Sequence, residues 1–365
     1  MTAAEIAALV AGSVVGDSAR EVSGVASPGR ASSSDLVFAV DGPSLWRALA
    51  GEAGVVLVGD GVLGAAPPAD SGPESAPDIR ASETTDNPGR TFVLVPDARR
   101  AFAQAAAALV PDPDAPSRGG IHPRALIDPD AILGARVTVG PGAVLEAAVS
   151  VDADAVIHAG CVLRSGARVG ARSILHPRVT LYGPVVVGAD CVLHAGSVLG
   201  SPGFGVVPSK DGPVDVPQLG RVVLGDRVHV GANCAIDRGA LDDTTLADDV
   251  RLDNLVHVGH GARIGAGAIV AGQSGLAGRA ELGAGSQVAG QVGIDVGARV
   301  GDGVQLGSRT WVLPGQVVTK GAWLGSPAAP LGEGRRRLAA GKRLPELLKR
   351  VRELEAQVAA LMGEE

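Results

Sequence analysis

The stretch ILGARVTVGPGAVLEAAVSVDADAVIHAGCVL, residues 132–163, decides the fold of this chain. Within it a branched aliphatic returns at every sixth position: Leu133, Val139, Leu145, Val151, Ile157 and Leu163. The same phase extends to residue 199, resumes at 224, slips by four residues after 236 and continues from 246 to 312. Neither the 3.6-residue period of an α-helix nor the alternation of a sandwich strand fits this pattern. A short fixed period is typical of a β-solenoid.

Six residues make one short strand and one turn, and three such units close a triangular coil. Each coil then buries its aliphatics against the coils above and below. The residue directly after the aliphatic is often Gly, Ala or Asp, as at Gly140 and Gly188. We expect that residue to form a tight turn with positive φ. The period itself does not set the hand of the coil.

The composition agrees with a narrow solenoid interior, since only 2% of the residues are aromatic while 53 are glycine. The formal charge of −7 argues against general nucleic-acid binding. No apolar run is long enough for a transmembrane helix, and the first residues lack the basic region of a signal peptide. Cys161, Cys191 and Cys234 share one slot of the hexad, which favours buried apolar thiols over metal or disulfide use. We therefore expect a cytoplasmic protein.

Three regions follow from the patterns. Residues 1–118 predict a small α/β domain, residues 119–330 the solenoid, and residues 331–365 a helical segment. In the first region, helices are predicted over 3–10 and 97–109, and strands over 22–25, 36–40, 55–58 and 91–95. Residues 64–90 predict a mobile surface loop, and residues 111–120 a linker.

Two insertions interrupt the solenoid, at residues 201–221 and 237–245, and such insertions often lie on the binding face. In the C-terminal segment, apolar residues between 344 and 361 form a heptad seam. We expect this seam to pack against the solenoid or against symmetry mates, and Pro345 to lie in the first turn of the helix.

The string DNLVHVGH, residues 253–260, contains a candidate catalytic pair. Asp253 and His260 lie near successive corners of one coil. A carboxylate can fix the tautomer of an imidazole and stabilise its cation, so that the pair acts as a general base. The alternative is that these are polar turn residues that serve solubility.

Several further stretches occur in a fixed order along the chain: IHP at 121–123, HAG at 194–196, GFG at 203–205, PQLGR at 217–221, DRGALDDT at 237–244 and GQVGI at 290–294. With these motifs the chain resembles the UDP-3-O-acylglucosamine N-acyltransferases of lipid A biosynthesis. The resemblance implies a left-handed parallel β-helix that forms a homotrimer with active sites between subunits. It implies transfer of a 3-hydroxyacyl group from acyl carrier protein to the 2-amine of a UDP-sugar, with no metal or nucleotide cofactor.

The resemblance also assigns roles to residues. His260 matches the general base, Asp253 the carboxylate that orients it, and Gly278 the backbone N–H that faces the thioester oxygen. Such a donor stabilises the oxyanion of the intermediate. Two positions depart from the family pattern: Gly297 stands where a second His is frequent, and His257 where a Gln is usual.

Substrate contacts follow in the same way. In the N-terminal domain, Phe38 matches an aromatic that stacks on uracil, Asp41 stands where an Asn is expected, and Trp46 is a substitute for a missing Tyr. In the solenoid, Phe204, Asn254 and His257 are the candidate substrate contacts.

Three other functions stay open. The first is a related hexapeptide O- or N-acyltransferase that uses another acceptor. A trimeric zinc enzyme of the carbonic anhydrase type would use His229, His257 and His260 as ligands. A non-catalytic scaffold is the third. Residues 335–352 carry eight Lys or Arg against one acid, an excess that would steer an acidic carrier protein.

Overall fold

The structure, a computed structural model, describes residues 1–62, 90–110 and 119–362. The chain divides into two compact units, Met1–Ala115 and Pro116–Glu365. The predicted loop at 64–90 and the predicted linker at 111–120 lie almost wholly outside the described residues. Among the described residues, no helix is both long enough and apolar enough to cross a bilayer.

The first unit is an α/β domain, as predicted, built on a five-stranded sheet in the order β1-β5-β4-β3-β2. Strand β1 is antiparallel to β5, and the other pairs are parallel. Its elements, with one short 3₁₀ turn at Pro28–Arg30, are α1 (Ala3–Leu9), β1 (Ser13–Val15), β2 (Gly24–Val25), β3 (Asp35–Ala39), α2 (Gly42–Ala50), β4 (Val55–Gly59), β5 (Thr91–Val95) and α3 (Ala98–Leu109).

The sequence patterns missed β1 and α2 in this unit. Helix α2 begins where it does because Asp41 caps it: the Asp41 carboxylate accepts from the Ser44 N–H at 2.8 Å, and the Ser44 hydroxyl accepts from the Asp41 N–H at 3.0 Å. This reciprocal capping satisfies donors at the helix start. The Ser44 hydrogen bonds also hold the pKa of Asp41 below its usual value. In the structure, Asp41 is therefore a helix cap.

The second unit is the predicted parallel β-solenoid. The first of its three sheets has ten strands: Leu126–Ile127, Val144–Leu145, Val162–Leu163, Thr180–Leu181, Val198–Pro202, Ala235–Arg238, His257–Val258, Gly275–Leu276, Gly293–Ile294 and Trp311–Val312. The second sheet also has ten: Ile132–Leu133, Ser150–Val151, Arg168–Val169, Val185–Val187, Val222–Leu224, Thr244–Leu246, Arg263–Ile264, Glu281–Leu282, Arg299–Val300 and Val317–Val318.

The third sheet has eleven strands: Thr138–Val139, Val156–Ile157, Ile174–Leu175, Val192–Leu193, His229–Val230, Arg251–Leu252, Ile269–Val270, Gln287–Val288, Gln305–Leu306, Ala322–Leu324 and Ala329–Pro330. In the regular part each strand pairs in parallel with the strand three hexads further on, as Val151 does with Val169. Three hexads therefore make one coil. The first insertion forms a hairpin of Val206–Ser209 with Gly212–Asp215.

The hexad aliphatics form one continuous buried core along the solenoid. Cys161, Cys191 and Cys234 lie in it as free thiols, as the sequence predicts. Burial raises the pKa of Cys161 to about 11. Such a thiol is unreactive at neutral pH.

The corners of the coil differ from the sequence-based expectation. Gly140, directly after core Val139, does not have positive φ; a Cβ on it would lie 2.6 Å from the Ala159 nitrogen of the next coil. The positive φ occurs two residues later, at Gly142 (+70°). The first corner residue is therefore small because backbone of the next coil approaches it, and the third takes the left-handed conformation.

One long helix, α4 (Leu331–Met362), follows the solenoid. Pro345 lies inside this helix and not in its first turn, so the prediction for Pro345 was wrong. As Pro has no N–H, the carbonyl four residues earlier loses its helical donor. The heptad seam is open in the single chain: Leu347 is 43% exposed and Leu354 50%. The seam therefore does not pack against the chain's own solenoid.

Candidate active site

The string DNLVHVGH carries His260 to the corner between the first and second sheets, two residues after core Val258. Two glycines enclose the imidazole. A Cβ on Gly278, one coil further on, would lie 2.6 Å from His260 Nε2, and a Cβ on Gly203 would lie 2.6 Å from His260 Cβ. Both close approaches require glycine. The first insertion, which carries Gly203, thus folds back onto His260.

The N–H of Gly278 belongs to a repeated class of corner donor. At some equivalent corners this N–H is bound by a side chain of the next coil: Ala189 donates to Asp226 at 2.8 Å, and Ala284 to Asp302 at 2.8 Å. At others, such as Ala159 and Ala266, it has no acceptor among the described residues. No acceptor binds the Gly278 N–H among the described residues. An unpaired N–H beside an imidazole is the arrangement that an oxyanion requires.

A carboxylate that was not predicted as a site residue lies in the same place. Asp237 is only 7% exposed, accepts from the Ser201 hydroxyl at 2.9 Å, and has Oδ2 3.7 Å from His257 Nε2. Burial raises the pKa of Asp237, while the Ser201 hydrogen bond and the nearby His257 and His260 oppose that rise. The signal was in the DRGALDDT motif, since Ile236 pairs directly with Val258 and so brings Asp237 to this corner.

Within a single chain, Asp253 does not lie beside His260. Its Oδ2 accepts from the Gly272 N–H at 2.9 Å and its Oδ1 from the Asn254 N–H at 2.7 Å, at the corner after the third sheet. Asn254 in turn accepts from the Ala232 N–H at 2.7 Å. No hydrogen bond joins Asp253 to His260 among the described residues, so the single chain does not form the predicted pair. The two residues lie at different corners of the solenoid, because Asp253 follows a strand of the third sheet and His260 follows a strand of the first sheet.

A cavity of about 420 Å³ opens from His260 along the first sheet. Its floor is an outward-facing column of one residue per coil, His257, Gly275, Gly293 and Trp311. The two glycines leave a trough without side chains, and the Trp311 indole, which donates to Asp295 at 3.3 Å, closes the far end. Phe204 from the first insertion also lines the cavity. Reading the sequence at every third hexad would have revealed this column.

The candidate uridine residues are separated in the first unit. Phe38 packs on the α1 and α3 side of the sheet, with its ring centroid 4.6 Å from that of Phe102. Trp46 packs on the opposite side, with α2. The structure therefore does not bring Phe38 and Trp46 to one face of the domain.

The histidines proposed as zinc ligands are also divided between sheets, since His229 lies in the third sheet and His257 in the first. Among the described residues, no three His, Cys, Asp or Glu side chains of one chain form a group that could hold a metal ion.

The fold defines the class of this protein, a left-handed hexapeptide-repeat β-helix. The family model described as "Bacterial transferase hexapeptide (six repeats)" matches residues 166–201. A UDP-3-O-acylglucosamine N-acyltransferase of Methylobacillus flagellatus is 46% identical over 198 residues, 54% of this chain and 53% of that protein. The match thus spans about half the length of that relative.

A UDP-3-O-acylglucosamine N-acyltransferase of Paraburkholderia phymatum is 35% identical over 285 residues, which cover 76% of this chain and 75% of that protein. Among solved structures, the UDP-N-acetylglucosamine acyltransferase of Bacteroides fragilis 9343 aligns with a TM-score of 0.44 and 22% identity, over 59% of this chain and 76% of that one. This chain belongs to the UDP-3-O-acylglucosamine N-acyltransferase family.

Proposed function

We propose that the protein transfers a 3-hydroxyacyl group from acyl carrier protein to the 2-amine of UDP-3-O-acylglucosamine. Family membership supports this activity, and one structural observation carries it: the imidazole of His260 lies against the Cα of Gly278, whose N–H has no acceptor among the described residues. A base and an oxyanion donor side by side suit attack on a thioester.

The proposed transfer passes through one tetrahedral intermediate. The amine nitrogen attacks the thioester carbon, and the carbonyl oxygen becomes an oxyanion to which the Gly278 N–H donates. His260 takes the proton that the amine loses. As the intermediate collapses, the C–S bond breaks, and His260 returns the proton to the departing thiolate. The products are an amide and a free thiol.

The Asp237 carboxyl is the group of the same chain best placed to stabilise the imidazolium, as it lies beside both histidines. Asp253 remains a candidate only across a subunit boundary, because its own chain binds its carboxylate with backbone donors. Under the same proposal, the acyl chain occupies the trough that ends at Trp311, and Phe204 covers it. Phe38 stays the candidate for the uracil ring.

The exposed basic residues of α4 support acyl carrier protein as the acyl donor. Arg335 and Arg336 have no ion pair among the described residues, whereas Arg337 pairs with Glu333. An acidic carrier protein would be attracted by such a surface, and the attraction would weaken as salt rises.

The test is an assay with the 3-hydroxyacyl thioester of acyl carrier protein and UDP-3-O-acylglucosamine. We expect release of one carrier thiol for each amide formed, with mass spectrometry showing the diacylated sugar. Formation of an ester on UDP-N-acetylglucosamine, without amide formation on the aminosugar, would favour an O-acyltransferase. No transfer to either acceptor would overturn the proposal.

A further inference from the structure

A second cleft, of about 470 Å³, lies on the other side of His260 along the second sheet. We call it the arginine cleft. Its charged lining is Arg263, Arg279, Arg299, Asp242 and Glu281, three guanidinium groups against two carboxylates. This local positive excess occurs in a chain of formal charge −7. The cleft and the trough meet at His260, which lines both.

The fold fixes these arginines close to the imidazole. Arg279 follows Gly278, and its N–H donates to the His260 carbonyl at 2.9 Å. Arg263, Glu281 and Arg299 stack on successive strands of the second sheet. Each step between neighbouring strands is about 4.8 Å. The three cations therefore surround one short length of the cleft.

Two of the three arginine side chains have no charged partner among the described residues. Arg299 pairs with Glu281 at 3.4 Å, but Arg263 and Arg279 make no ion pair or side-chain hydrogen bond among the described residues. All three arginines are exposed. Guanidinium groups bind phosphate oxygens through paired, charge-assisted hydrogen bonds. Free guanidinium groups gathered beside a candidate base therefore fit a phosphate ester of the reactant that enters from this side.

We propose that Arg263 and Arg279 form a binding subsite for a phosphate ester group of a substrate. This inference rests on the proposed function for the identity of that substrate. Both proposed reactants carry such a group, namely the diphosphate of the UDP-sugar and the phosphate of the carrier's phosphopantetheine arm. The chemistry of recognition is the same for the two, and binding of separate probes distinguishes them.

The experiment is calorimetric titration of the full-length protein without catalysis. Two probe pairs isolate the phosphate: UDP against uridine, and 4′-phosphopantetheine against pantetheine. We compare the wild type with Arg263→Gln, Arg279→Gln and the double variant. Arg168→Gln is the matched control, since Arg168 is an exposed arginine on the same sheet, four strands away.

In the wild type, the phosphorylated member of one pair should bind more tightly, and the double variant should lose about tenfold of that difference. The probe pair whose difference in affinity is reduced in the double variant identifies the reactant. Arg168→Gln should change neither pair, and Arg263→Lys with Arg279→Lys should retain part of the preference. Light scattering on each variant checks the assembly.

An equal affinity for phosphorylated and unphosphorylated probes in the wild type would overturn the proposal. So would a phosphate preference that persists in the double variant. If the double variant changes its oligomeric mass while the preference is unaltered, the arginines serve a subunit contact and the subsite does not exist. The proposed function fails separately, through absence of amide product while the phosphate preference is intact.

Discussion

At the residue scale, Asp237 is the finding that sequence reasoning did not reach. The carboxyl group is buried, accepts one hydrogen bond from Ser201 and lies 3.7 Å from the His257 imidazole. The motif containing it was visible, but the pairing of Ile236 with Val258 was not. Their separation along the chain conceals a contact that one coil of the solenoid creates. Asp253 shows the converse, since it is close to His260 in sequence but lies on a different corner.

We expect Asp237→Asn to lower kcat by roughly ten- to a hundredfold, because the neutral amide no longer stabilises an imidazolium. Steady-state kcat with saturating substrates measures this loss. Asp253→Asn is the comparison. A larger loss with Asp253→Asn, and an unchanged kcat with Asp237→Asn, would assign the orienting role to Asp253 of another copy.

A second residue-scale prediction concerns stacked histidines outside the site. The rings of His158, His176 and His194 stack on successive coils, with centroids 5.3 and 4.8 Å apart. His158 Nε2 is buried without a partner among the described residues, and burial lowers the pKa of His158. In the unfolded chain the His158 imidazole has a pKa of about 6.5, so near and below that pH the unfolded chain binds more protons than the native one. Stability contributed by neutral His158 is present above that pH and is lost as pH falls.

Thermal unfolding at pH 7.5 and 5.5 checks this. The fall in Tm between the two values should be smaller for His158→Phe than for the wild type, because Phe stacks but takes no proton. His122→Phe, outside the stack, should keep the wild-type fall. An identical fall for all three proteins would contradict the account.

At the element scale, the hexad period predicted the coil, its core and the slots of the three cysteines. It could not predict the roles of the outward-facing positions, because each of these side chains contacts neighbours that lie one full coil away along the sequence. The trough of Gly275 and Gly293, closed by Trp311, is such a feature. The corner conformation is another, since the small residue after the aliphatic and the positive φ are separate requirements. The prediction for Pro345 failed because the start of α4, at Leu331, carries no strong cap signal in the sequence.

We expect Trp311→Ala to shift the preferred donor toward longer acyl chains, because it removes the wall at the end of the trough. Each additional methylene that becomes buried contributes about 0.8 kcal/mol, or roughly fourfold in kcat/KM. A series of carrier thioesters of increasing length measures this. Leu241→Ala, which alters an exposed side chain of the other cleft, is the control. An unchanged order of preference with Trp311→Ala would show that the acyl chain lies elsewhere.

At the scale of the whole molecule, two features fit an assembly of several copies of the chain. The apolar seam of α4 is exposed along its length, and contiguous apolar surface of this kind usually marks an interface. The Asp253 carboxylate, in turn, binds backbone donors of its own chain and makes no hydrogen bond to His260 among the described residues. The family resemblance implies a trimer. We therefore expect light scattering to give three times the chain mass of 36.3 kDa. Asp substituted for both Leu347 and Leu354 should weaken the assembly, and a stable monomer of the wild type at micromolar concentration would contradict the prediction.

The role of His260 as the general base is tested most directly by kcat for His260→Ala and His257→Ala under saturating substrates. His260 lines the corner with Gly278, outside the aliphatic core, so its truncation leaves no core cavity. We expect a loss of roughly 10²–10⁴-fold for His260→Ala with fold and assembly intact, and activity retained in His257→Gln. Loss of turnover in His257→Ala with full activity in His260→Ala would contradict it and assign the base to the histidine beside Asp237.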